Sequence, residues 1–227
     1  MDPIQRDYLD THYDENIFKK NKNRLLAGGV GDSFLSNAEH DDRRSLVLLI
    51  RIAPDISDRI NKCIADLRKI EPLLYYYPKE DFHITLLDIL KGEKGRTLPP
   101  DLSEYESVVR QCTEKIKPFD ISFDGLTASD NAIMVKGYYE NELQKYRELL
   151  RETFKKEGLL LEERYMSISA HVTIARIPDK LQNPAELISY IEKNQSFGIM
   201  TVSQIEFSFH NWYDTQKNVL NILHINK

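Results

Sequence analysis

The chain has 227 residues, 41% hydrophobic and 30% charged, the make-up of a globular protein whose core is large enough for one domain or two fused lobes. With 31 basic and 36 acidic residues its formal net charge is −5, without the basic surplus from which binders of long nucleic acid draw affinity. No apolar run reaches the roughly 18 residues of a membrane helix, Met1-Asp2-Pro3-Ile4-Gln5 is no secretory signal, and Cys63 and Cys112 are too few for a disulfide framework or a thiolate zinc site. A cytoplasmic protein with reduced cysteines and no membrane partner is expected.

Residues 1–44 are polar and charged and read as an N-terminal extension: a short helix, then a linker around Gly28-Gly29-Val30-Gly31, packed on the main domain or trailing from it. Those glycines fit neither G-x-x-x-x-G-K-[ST] nor a strand followed by G-x-G-x-x-G, so they do not spell a phosphate loop. From residue 45 the pattern becomes regular. A first strand covers 45–52, and helical spacing follows over 55–70, with Ile56, Ile60, Cys63, Ile64, Leu67 and Ile70 on one face. Residues 73–77 form a second strand ended by Pro78, and 81–90 a third. Lys91 to Pro100 reads as a charged loop and 102–116 as a helix. Residues 119–126 and 132–138 form a hairpin turning at Ser129-Asp130-Asn131. The clearest helix is 140–157, with Leu143, Tyr146, Leu149, Leu150 and Phe154 along one side and Gly158 as its stop. A strand over 168–177 ends at Pro178. A helix at 184–194 and strands near 197–210 and 218–225 complete the chain, so the later half repeats the order of elements of the first.

Two of these strands carry the same short pattern. Asp81-Phe82-His83-Ile84-Thr85-Leu86-Leu87 and Ser169-Ala170-His171-Val172-Thr173-Ile174-Ala175 are both His-x-Thr-x within an apolar run, their histidines 88 residues apart. A strand sends alternate side chains to opposite faces, so each copy presents an imidazole beside a hydroxyl while Ile84 and Leu86, or Val172 and Ile174, turn into the core. A lone strand histidine is more often a hydrogen-bonded structural residue. What favours chemistry is the recurrence of the whole pattern in corresponding places; His12, His40, His210 and His224 lack it. A zinc site would call for a third ligand at short spacing, as in H-E-x-x-H, and none is visible.

Two His-x-Thr-x strands in an α+β order opened by a strand and a helix resemble the 2H phosphoesterase superfamily, which includes RNA 2′,3′-cyclic phosphodiesterases and the so-called 2′-5′ RNA ligases. The resemblance covers about residues 45–225, and His171-Val172-Thr173-Ile174-Ala175-Arg176 is especially similar to the second motif of the bacterial RNA-ligase-like branch. It implies an α+β, bilobal, duplicated fold over 45–227, with two antiparallel sheets facing across a cleft, helices outside and one motif per lobe. Residues 1–44 fall outside that common core, the mark of a divergent subfamily. A small nucleotide or RNA end as substrate, no metal, no cofactor and a monomeric chain are the accompanying expectations.

The chemistry can be argued from the side chains. Opening a cyclic phosphodiester needs a base for the incoming water and an acid for the departing ribose oxygen, and histidine, with an ordinary pKa of about 6.5, serves either role. Thr85 and Thr173 can donate hydroxyl hydrogen bonds to non-bridging phosphate oxygens. Strict alternation points Arg176 away from the histidine face, unless the strand twists or ends before Pro178; otherwise Arg176 is a salt-bridged strand end. Tyr75 to Tyr77, Phe209, Trp212 and Tyr213 are mostly core by composition, with Tyr77, Trp212 and Tyr213 the candidates to meet a nucleobase. Lys91, Lys94 and Arg96 could gather anionic substrate. Two other readings stand beside the enzyme: a nucleotide-binding module without catalysis, and a phosphoesterase for a non-RNA cyclic phosphate.

Overall fold

The computed structural model describes residues 1–226. The chain opens with helix α1 (Pro3–Asp10), begun by proline at its first position and by the Asp2 carboxylate accepting from the Ile4 N–H at 3.2 Å. It runs on through a π-helical stretch (Thr11–Lys19) into α2 (Lys20–Leu26). Leu9, Tyr13 and Leu25 on this arm are wholly buried, so the segment is docked rather than trailing. Tyr13 anchors it: its hydroxyl donates to the Gly137 carbonyl at 2.8 Å and accepts from the Ala170 N–H at 3.0 Å, and its own carbonyl accepts from Thr127 Oγ1 at 2.9 Å.

The body alternates strands and helices: β1 (Arg43–Arg51), α3 (Pro54–Ile70), β2 (Tyr75–Tyr76), β3 (His83–Lys94), α4 (Leu102–Thr113), β4 (Phe119–Ala128), β5 (Ala132–Tyr139), α5 (Asn141–Lys156), β6 (Val172–Arg176), α6 (Pro184–Ile191), β7 (Ser196–Val202), β8 (Gln204–Asn211) and β9 (Lys217–His224). They form two antiparallel sheets, ordered β3-β1-β8-β9 and β2-β6-β5-β4-β7, so the expected α+β architecture of two sheets with helices around them is what the chain adopts. One motif belongs to each sheet. The sheets nevertheless exchange strands between the halves of the chain. β2, from the first half, pairs with β6, and the last two strands return to β1, which closes the first sheet with the chain's end.

The helical stripe expected on α3 is the buried one, and Gly158, at φ +71°, ends α5 in the left-handed conformation that glycine adopts without strain. Several boundaries differ from expectation. Lys91–Lys94 continue β3 instead of starting a loop, because they pair back to Arg43 and Arg44 of β1. The stretch 197–210 breaks at Ser203 into strands of different sheets. The second strand shrinks to two residues, and β6 starts only after His171, its lead-in 168–170 being held by side chains rather than by a ladder. Gly137 is what lets that lead-in lie close to β5: a Cβ there would fall 2.0 Å from the Ala170 carbonyl oxygen. Among the described residues no helix is long and apolar enough to cross a membrane.

Candidate active site

Each motif is built the same way. Phe82, Ile84 and Leu86 are buried, while His83 and Thr85 are half-buried on the opposite face of β3; Ala170, Val172 and Ile174 are buried, while His171 and Thr173 are half-buried beside β6. Both strands then bulge at the residue after the threonine. The β1–β3 register passes from Leu49↔Thr85 to Leu48↔Leu87, skipping Leu86, and the β5–β6 register passes from Met134↔Thr173 to Ile133↔Ala175, skipping Ile174. A bulge bends its strand and shifts the alternation by one. That shift accounts for the buried pairs Leu86/Leu87 and Ile174/Ala175, and it returns Arg176 to the side of its strand that bears His171 and Thr173.

The imidazoles are also held alike, each through Nδ1 by the residue two positions back. His83 Nδ1 lies 2.7 Å from the Asp81 carbonyl, which only accepts, so Nδ1 carries the proton and Nε2 is the free nitrogen. His171 Nδ1 lies 2.7 Å from Ser169 Oγ, which can donate or accept. Burial pushes both rings down to about 4. For His83 the Asp214 carboxylate partly offsets that burial, whereas His171 is lowered further by His12, His83, Arg147 and Arg176 and has no carboxylate among its dominant influences. Both rings are therefore neutral at pH 7 in the unliganded protein.

Between about pH 4 and pH 6.5 the unfolded chain binds protons at both histidines that the folded chain does not, so stability should fall as the pH drops through that window, at no more than about 2.7 kcal/mol per pH unit for the two together. Urea midpoints measured from pH 7 to pH 4.5 should show this slope, and His83→Gln should flatten it. A phosphate anion placed between the rings supplies the missing negative charge. Inorganic phosphate binding at pH 6 should accordingly take up protons, visible as a calorimetric heat that changes with the ionisation enthalpy of the buffer; buffer-independent heats would contradict the assignment.

The structure adds a residue that the sequence pattern did not single out. Asp214, fully buried and at φ +60°, accepts from His210 Nδ1 at 2.8 Å, from Arg51 Nη1 at 2.5 Å and from Lys217 Nζ at 3.2 Å, and lies 3.9 Å from His83 Nδ1. These cations and imidazoles hold its carboxyl far below the usual range although burial opposes it. Arg51 in turn grips Glu206 through two hydrogen bonds of 2.8 and 2.6 Å, and the His210 ring stands edge-on to His83 at 5.9 Å. Aspartate is one of the few residue types that adopt the left-handed region readily, and here that conformation sets a buried carboxylate beside His83.

Arg176, Tyr77, Trp212 and Tyr213 come together. Arg176 Nε donates to the Tyr77 hydroxyl at 2.9 Å, its Nη1 lies 3.8 Å from Asp32, and its guanidinium sits 5.5 Å from the Trp212 ring centre and 5.8 Å from that of Tyr213. Tyr213 is fully buried and Tyr77 5% exposed, so neither offers an open face for a base; they back the arginine instead. Trp212 alone of the three stays half-exposed, with Arg164 stacked 4.2 Å from its centre. Tyr76 and Phe209 are core residues. Arg96 is paired with Glu93 and Glu162, and Lys91 lies 3.5 Å from Glu93, so these two cations serve local ion pairs at the far end of β3.

An α+β body whose two antiparallel sheets each bring one His-x-Thr strand to the site defines a two-histidine class of protein. The profile of the 2′-5′ RNA ligase superfamily matches residues 54–211, and the chain belongs to that superfamily, the 2H phosphoesterases. Among solved structures it is similar to TT0787 of Thermus thermophilus, with 16% identity and a TM-score of 0.57 over 80% of this chain and 97% of that one. It is also similar to Escherichia coli LigT complexed with 3′-AMP, with 11% identity and a TM-score of 0.56 over 82% and 99%. A structure described simply as a phosphoesterase gives 12% identity and a TM-score of 0.55 over the same shares. At such identities the likeness is one of fold. No curated protein matches the chain by sequence.

Proposed function

We propose that the protein is a cytoplasmic, metal-independent phosphodiesterase that hydrolyses a 2′,3′-cyclic phosphate or a 2′-5′ phosphodiester in a small nucleotide or at an RNA end. The observation that carries this reading is the duplicated construction of the site: two strands, one from each sheet, with the same His-x-Thr order, the same bulge and the same grip on Nδ1 that leaves Nε2 free for His83. A binding module needs no second proton-transfer group.

His83 serves as the base. Its free Nε2 takes the proton of the attacking water as the water oxygen bonds to phosphorus, and the imidazolium that forms is stabilised by Asp214. His171 serves as the acid. Among cationic neighbours its protonated form gives up a proton readily, and in the complex the substrate's negative charge raises its pKa so that it takes that proton from solvent. The ribose oxygen leaving phosphorus takes that proton, and the Ser169 hydroxyl accommodates either state of Nδ1. Thr85 and Thr173 hydrogen-bond the non-bridging oxygens, with Arg176 and Trp212 available for the rest of the nucleotide. LigT, which the chain resembles in fold, has been crystallised with 3′-AMP and with phosphate, ligands of the chemistry proposed here.

The test is turnover by the full chain, in EDTA, of 2′,3′-cyclic nucleotides, 2′-5′ dinucleotides and RNA ending in a cyclic phosphate. Product should form on at least one of these, with a bell-shaped pH profile. No turnover across the panel, or undiminished turnover by His83→Ala, would remove the reading. Saturable nucleotide binding without product would support the binding module, and turnover confined to a cyclic sugar phosphate would move the substrate outside RNA.

A further inference from the structure

Arg147 of α5 occupies the apolar stripe between Leu143, Tyr146, Leu150 and Phe154, and its side chain is completely buried. A buried guanidinium is normally matched by a carboxylate, yet its hydrogen bonds all go to backbone carbonyls. Nε donates to Leu86 O at 2.8 Å and Nη2 to Thr85 O at 3.3 Å; Nη1 donates to Ile168 O at 3.1 Å and Nη2 to Ser169 O at 2.7 Å. The first two carbonyls belong to the bulge that follows His83 on β3, an edge strand whose outer side no other strand pairs at this point. The other two belong to the lead-in before His171, and Ser169 is the residue whose hydroxyl holds His171 Nδ1. One planar fork thus joins the backbones of the two motifs, which sit in different sheets.

We propose that Arg147 is a positioning residue that fixes the spacing and orientation of the His83 and His171 strands, and so the span across which the two rings address one phosphate. The proposal rests on the acid–base reading of those histidines. Stability alone does not explain the residue, since an apolar side chain would fill a stripe position without desolvating a charge. Its geometry explains it better. Five N–H groups in a rigid fork reach carbonyls on two strands at fixed angles, which a lysine ammonium on a flexible stem cannot reproduce. Tyr139, whose ring centre is 5.5 Å from the guanidinium and whose hydroxyl also donates to Ile168 O, supports the same lead-in.

Arg147→Lys and Arg147→Gln in the full chain test this, with two readouts. In the wild type the His83 and His171 imidazole NMR signals should shift together along one saturation curve as inorganic phosphate is added. In either variant that is folded by circular dichroism the two curves should separate, with the apparent phosphate affinity of at least one histidine falling at least tenfold, while the His224 signal is unchanged. On the substrate found for the wild type, kcat should fall by about 10²-fold with KM altered only a few-fold, the mark of misplaced reacting groups. A folded variant with a lower melting temperature but coincident phosphate curves and wild-type kcat would overturn the proposal, as would failure of both variants to fold, which would make Arg147 a purely structural residue. If the wild type turns over nothing, the enzymatic reading fails, and the phosphate curves alone decide whether Arg147 couples the two motifs.

Discussion

His83→Asn and His171→Asn should each lower kcat by about 10²–10⁴-fold, the range that a well-placed proton transfer contributes, with little change in the melting temperature. Asparagine puts an amide where Nδ1 stood, so the local hydrogen bond can be kept while the Nε2 position is lost, and neither ring fills the core. The two losses should not add: once either transfer is missing, removing the other costs little more. The pH profiles should separate the roles. His83→Asn should abolish the acidic limb, where the base becomes protonated, and His171→Asn the basic limb, where the acid loses its proton. Profiles with those limbs interchanged would reverse the assignment of base and acid while leaving the pair itself intact.

Asp214→Ala should be the most damaging single change to the fold around the site. It leaves the buried His210 Nδ1 without its acceptor and takes their shared carboxylate from Arg51 and Lys217, which keep Glu206 and Asp81, so the loss should lie at the lower end of the roughly 3–5 kcal/mol that breaking a buried ion pair costs. Denaturant midpoints should report that loss. Asp214→Asn keeps the shape and part of the hydrogen bonding, and its effect should be electrostatic: without the negative charge 3.9 Å from Nδ1, the His83 imidazolium loses its main support and its pKa should fall further. The acidic limb of the activity profile should then move to lower pH together with a lower kcat. An Asp214→Asn protein with wild-type stability and an unmoved acidic limb would show that the carboxylate does not communicate with His83.

The two motifs were legible because a half-buried strand writes its geometry into every second residue, and Ile84, Leu86, Val172 and Ile174 spell it out. The general architecture was legible for the same reason. What lay beyond reach was what depends on meetings between distant parts of the chain. Nothing local in Tyr213-Asp214-Thr215 announces that this turn folds under His83, because its partners Arg51 and His210 come from β1 and β8. Arg147 did leave a trace, a charge set in the apolar stripe of α5, but only the neighbouring carbonyls show what it does there. Arg176 was misdirected by strict alternation, since the bulge at Ile174 inserts an extra residue that periodicity does not reveal. The exchange of strands between the sheets was likewise hidden, as each strand pattern specifies a buried face and not the sheet that will supply its neighbour.

If strands from separate sheets bring two imidazoles to one phosphorus atom, a crystal structure of the protein with inorganic phosphate bound shows it most directly. Nε2 of His83 and Nε2 of His171 should each lie about 2.7–3.2 Å from oxygens of the same phosphate, with the Thr85 and Thr173 hydroxyls on its remaining oxygens. A phosphate held by only one of the two histidines, or bound elsewhere while both rings stay unoccupied, would contradict it.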